Sequence, residues 1–138
     1  RQDPSFSFAT KRFHTPTDLA LGMRRARAAA LLSAALPGSL YVYQGDELGL
    51  PEVEDIPTEL LQDPMHFRSE GVDPGRDGCR VPMPWSGTEP PYGFEPEGSG
   101  HAPWLPQPAD WAAFTVEAEA GDSGSMLSLY RSRVSRSP

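Results

Sequence analysis

The hydrophobic positions of this chain form two patterned stretches separated by a long unpatterned one. In residues 17–36, TDLALGMRRARAAALLSAAL, the positions Leu19, Met23, Ala26 and Ala30 recur at helical spacing while Arg24 and Arg27 share another side. That pattern predicts a helix with one buried face. Pro16 suits its start, Thr15 or Thr17 can cap it, and Pro37-Gly38 stops it. Ser39-Leu40-Tyr41-Val42-Tyr43 follows at once, short, aromatic and β-branched, and predicts a buried strand. Helix, tight turn and buried strand together make the second half of a βαβ unit. Near the other end, Met126, Leu127, Tyr130 and Val134 stand at helical spacing behind the candidate caps Asp122, Ser123 and Ser125. This predicts a second amphipathic helix, and Arg131, Arg133 and Arg136 suit its C-terminal end, where cations offset the macrodipole.

From Gln44 to about Pro108 turn residues and acids dominate, with one helical turn expected near Glu59–Gln62. A connection of that length is more often functional than idle. Trp111–Glu117 fits a strand or a helix equally well. No internal repeat or low-complexity tract is present.

Composition narrows the classes. The chain has 138 residues, 38% of them hydrophobic and 16 of them proline, which fits one domain with a modest core and much loop. A formal charge of −7 gives no basic footprint for nucleic acid and no attraction to anionic membranes, so neither is expected as a partner. One cysteine makes no internal disulfide, and the three histidines show no metal-ligand spacing, so no metal or cofactor is expected and a reducing cytoplasm is the simplest location. Arg24, Arg25 and Arg27 interrupt the apolar stretch well short of a membrane span, and there is no signal-peptide pattern. With Arg1 at the start in place of methionine, the chain is expected to be a piece of a longer one.

The densest local signal is GVDPGRDGCRVPMPW at residues 71–85, where prolines and glycines crowd around Arg76, Asp77, Cys79 and Arg80. Proline fixes φ and glycine permits positive φ, so this run predicts a shaped loop. Arg80, and less so Arg76, is the best candidate substrate contact, because an arginine fork can hold two hydroxyls or orient a carboxylate. A salt bridge that ties the loop down is an equal alternative. Asp77 is a further candidate at such a site, as loop architecture or as the partner of one arginine. Trp85, Tyr92, Phe94 and Trp104 offer flat faces to a sugar, with loop packing as the commoner role for each. Cys79 reads as a small buried filler. Asp46-Glu47 resembles a catalytic pair, but neighbours on an extended strand point to opposite faces, so a turn held by hydrogen bonds is the expected role.

YQGDELGL (43–50), EVEDIP (52–57), LQDP (61–64), GRDGCRVPMPW (75–85) and PWLPQPADW (103–111) together resemble the α-glucosidase branch of the α-amylase superfamily, glycoside hydrolase family 13. The resemblance covers most of residues 9–134. It implies an α/β fold, part of a (β/α)8 TIM barrel whose active site lies in the βα loops at the C-terminal ends of the strands. On that mapping residues 1–44 carry the seventh helix and eighth strand, 45–122 the long loop after that strand, and 123–138 the eighth helix and C-terminal end. The Gly/Pro-rich run then belongs to a loop over a sugar pocket, with Arg80, Arg76 and Asp77 at or near the substrate.

Retaining glycoside hydrolysis uses two carboxylates about 5–5.5 Å apart, a nucleophile and an acid/base. The resemblance places both on earlier strands and a third Asp in an Asn-His-Asp triplet just before the stretch like Ala9-Thr10-Lys11-Arg12-Phe13. Arg1-Gln2-Asp3-Pro4-Ser5 stands there instead, with Asp3 a one-residue-slipped echo of that Asp. No catalytic residue is therefore assigned. The expected function is a fragment of a retaining α-glucosidase, acting when complete on terminal α-linked glucose of oligosaccharides or disaccharides and inactive alone. Its partners are an α-glucoside and the remainder of the barrel. The alternatives are a non-catalytic scaffold on the same barrel or a truncated remnant.

Overall fold

The computed structural model describes residues 17–96 and 99–134. Expectations for Asp3, residues 9–13, Thr15, Pro16 and Arg136 lie outside them. Helix α1 spans Leu19–Ala35, close to the predicted bounds. Its cap is Asp18, not a threonine: Oδ1 accepts from the Leu21 N–H at 2.9 Å, satisfying one of the orphan donors of the first turn. Thr17 instead donates its hydroxyl to Glu54 at 2.7 Å.

The expected buried face of α1 is not found, since no residue of this helix is buried. The helix touches α4, Met126–Val134, and Arg27 donates to the Gly124 carbonyl at 3.0 Å. On the α1 flank that bears Leu19, Met23, Ala26 and Ala30, an open groove of about 790 Å³ runs past Leu40, Tyr41, Leu50, Trp111 and Phe114. The apolar stripe is real; what would cover it is not among the described residues.

The strand predicted at 39–43 also does not form, and the described residues contain helices and turns but no strand. A strand exists only through its ladder, and no described segment pairs with this one. Tyr41 is 90% exposed and Tyr43 51%. The chain then turns at Gly45 into a short 3-10 helix, Asp46–Leu48, which buries Leu48 completely.

Residues 50–115 are better packed than their composition suggests. Val53, Val81, Tyr92, Leu105 and Trp111 form a common core, bordered by Leu50, Ile56, Leu60, Ala112 and Phe114. Tyr92 fixes its centre: its hydroxyl donates to the Pro108 carbonyl at 3.0 Å and accepts from the Trp111 N–H at 3.2 Å. Backbone bonds replace regular structure, with Val53 N–H on Gly78 O and both Trp85 and Ser86 N–H on Tyr92 O. A Cβ at Gly78 would overlap the Val53 carbonyl, so this approach requires glycine. Short helices punctuate the segment at Thr58–Leu60, Pro64–Arg68 (α2) and Asp77–Cys79. Trp111–Phe114 is a 3-10 helix and Val116–Ala120 is α3, which resolves the ambiguity there in favour of helix.

Helix α4 is capped as expected from one of its candidates, Ser125, whose hydroxyl accepts from Ser128 N–H at 3.1 Å. Its Met126 and Leu127 are buried. The same turn holds buried Glu119, whose carboxylate accepts from Leu127 N–H at 2.9 Å.

Candidate functional site

The Gly/Pro-rich run folds against the LQDP segment, and a carboxylate from each side clamps the same arginine. Asp63 caps α2 with Pro64 at its first position, a favoured start because proline lacks the N–H that would be orphaned there. Its Oδ1 accepts from Met65 N–H at 2.9 Å. Its Oδ2 accepts from Arg76 N–H at 3.1 Å and from Arg80 Nη1 at 2.9 Å. Asp77, fourteen positions on, reciprocates: its Oδ2 accepts from the N–H groups of Gln62 and Asp63 at 2.6 and 2.8 Å, and its Oδ1 lies 3.3 Å from the same Arg80 nitrogen.

Both carboxylates are buried, at 5% and 4% exposure, while the Arg80 side chain is 42% exposed. Two buried anions against one cation are tolerable because four backbone N–H groups share the charge. The Met65 N–H above all holds the Asp63 carboxyl below the usual aspartate value; burial opposes it, and Arg76 N–H and the Arg80 guanidinium add to the lowering. Burial pulls Arg80 down, but its bonds and attraction to Asp63, then to Asp77 and Tyr43, outweigh it and raise Arg80 above its usual value.

Of the residues singled out from sequence, Arg80 and Asp77 are thus brought together. Arg76 joins through its backbone, donating to Asp63 and accepting from Cys79 N–H, while its side chain is exposed. Cys79 is exposed and not a buried filler; its thiol donates to the Arg76 carbonyl at 3.1 Å, because the 3-10 turn presents it outward. Tyr92 is a core residue with no face to offer a sugar, whereas Trp85, Phe94 and Trp104 stay 49%, 44% and 60% exposed. Trp104 is steadied by its indole N–H on the Leu60 carbonyl at 3.1 Å. Asp46 and Glu47 lie on a 3-10 turn and not on a strand, and their carboxylates accept from the Tyr43 and Gly45 N–H groups, which is a turn-holding role. Sequence reasoning missed Asp63. Its signal was the Asp-Pro pair, which reads as a helix cap and first position.

Comparison with known proteins decides the family. The family described as "Alpha amylase, catalytic domain" matches residues 8–136. This chain belongs to the α-amylase family. It is 40% identical over 106 residues to a probable α-glucosidase of Rhizobium meliloti, covering 77% of this chain and 18% of that protein. It is 29% identical over 133 residues to an oligo-1,6-glucosidase of Parageobacillus thermoglucosidasius, covering 82% of this chain and 23% of that one. An α-glucosidase of Saccharomyces cerevisiae is 30% identical over 122 residues, with 73% and 20% covered. The chain therefore spans about a fifth of the length of the curated relatives it matches. These α-amylase family relatives are glycoside hydrolases, and the family's catalytic domain is a (β/α)8 barrel. No helix among the described residues is long and apolar enough to cross a membrane.

Proposed function

We propose that this chain supplies the eighth-strand end of a retaining α-glucosidase: residues 19–35 the seventh helix, 39–43 the eighth strand, 45–122 the loop over the sugar pocket and 126–134 the eighth helix. The similarity to α-glucosidases across most of the chain carries this reading. The clamped, half-exposed Arg80 supports it, because a guanidinium already oriented by two buried carboxylates can meet sugar hydroxyls at little entropic cost. Arg80 is the principal substrate contact, Asp77 holds its loop, and the exposed Arg76 is a peripheral contact. Exposed Trp85, Phe94 and Trp104 flank the loop as apolar surfaces for a sugar ring.

The nucleophilic Asp and the acid/base Glu are assigned by resemblance to earlier strands of the barrel, so the 138-residue chain alone is inactive. In the complete domain they cleave a terminal α-glucosidic bond by double displacement. A free, exposed Cys79 fits a reducing, cytoplasmic location.

The test is hydrolysis of a terminal α-glucoside by the complete domain, followed by NMR of the first-formed anomer. Release of α-glucose, with no turnover by the isolated chain, is the expected result. A complete domain that binds the sugar without cleaving it would instead make the protein a scaffold.

A further inference from the structure

The carboxylates of Asp63 and Asp77 meet on one nitrogen of Arg80, and the role assigned to that knot rests on the α-glucosidase reading above. We propose that Asp63 is a positioning residue, whose carboxylate sets the direction in which Arg80 meets the α-glucoside.

The geometry argues that Asp63 directs Arg80 and not the reverse. Asp63 is held by three bonds that do not involve the Arg80 side chain: its own N–H donates to the Asp77 carboxylate, its Oδ1 accepts from Met65 N–H and its Oδ2 accepts from Arg76 N–H. Its orientation is therefore set before the arginine arrives. Arg80 has long flexible torsions and takes up the position offered, with Nη1 seated at 2.9 Å on Oδ2. Asp77 is the weaker guide, since its contact to that nitrogen is 3.3 Å and its other oxygen is occupied by two N–H groups. Both contacts fall on Nη1, so one corner of the guanidinium is pinned inside the loop while 42% of the side chain remains exposed. Gly75, at φ +80, makes the arrangement possible, because a Cβ there would overlap the Asp63 side chain.

Asn at position 63 keeps the shape but has one oxygen for two places: with that oxygen on the Met65 N–H, an amide donor faces the Arg76 N–H and Arg80, and with it on those two, the cap is lost. The experiment is a double-mutant cycle in the complete catalytic domain, with wild type, Asp63→Asn, Arg80→Ala and the pair assayed on a terminal α-glucoside. Asp63→Asn is expected to raise KM about tenfold with kcat changed less than about threefold, and to change KM less than about twofold once Arg80 is already Ala. Should Asp63→Asn not fold, Asp63→Ser, which retains a capping oxygen but cannot reach Arg80, takes its place in the same cycle. An Asp63 effect of equal size in the Arg80→Ala background would overturn the proposal and leave Asp63 a structural cap. A wild-type domain that cleaves no α-glucoside would overturn the α-glucosidase reading itself, and with it this role.

Discussion

Gly75 shows how a single missing side chain shapes the candidate site. Its φ of +80 is costly for any residue with a Cβ, and the space a Cβ needs is filled by Asp63. Gly75→Ala in the complete domain is expected to cost about 2–3 kcal/mol, read as a lower denaturant midpoint at unchanged slope. A midpoint equal to wild type would mean that the 75–80 turn is not held against Asp63. At this scale much was legible beforehand. Arg80 and Asp77 stood out because charged residues in a Gly/Pro-rich run have few roles besides holding the loop or meeting a ligand. Asp63 did not, because its Asp-Pro pair marks only a helix cap, while its bonds to Arg76 and Arg80, thirteen and seventeen positions away, leave no local pattern. Tyr92 and Cys79 show the opposite error: a short loop sequence does not reveal which side of each turn faces inward.

At the start of α4 a buried carboxylate is held whose ionisation is disfavoured. Buried Glu119 accepts from Leu127 N–H at the start of this helix, yet burial pushes its carboxyl above the ordinary value of 4.5, reinforced by Asp122 and Glu47 and opposed by that N–H and by Arg27. A folded-state value above the unfolded one means that its stabilising contribution is complete below pH 4.5 and is lost as pH rises through the folded value. Glu119→Gln keeps an oxygen for Leu127 and removes the charge. It is expected to be more stable than wild type at pH 7, with the difference shrinking as pH falls toward 4.5, in pH-dependent denaturation of the complete domain. A variant less stable than wild type across that range would contradict this assignment. Both long helices were legible from their periodicity, because a 3.6-residue repeat is a property of the segment itself. The strand at 39–43 and the buried face of α1 were expected and are not formed, since both depend on partners that no described segment supplies. The core around Val53, Val81, Tyr92, Leu105 and Trp111 was illegible for a third reason: its members are spread over nearly sixty residues with no period.

For the whole molecule, the apolar surface left open lies along α1 and the segment after it, which the proposed placement sets against the rest of a barrel. Leu19, Leu32, Leu36, Tyr41, Val42 and Tyr43 are all exposed along α1 and the segment after it. Parallel barrel strands are paired on both sides, and their helices pack on the outside of the sheet. On the proposed barrel placement, residues 39–43 lie between two neighbouring strands in the complete domain and are unpaired in the 138-residue chain. Amide hydrogen exchange of residues 40–43, measured in the complete domain and in this chain alone, tests that placement most directly. Slow exchange is expected in the complete domain and fast exchange in the isolated chain. Fast exchange in both would contradict it, because a central barrel strand cannot leave its amides open to water.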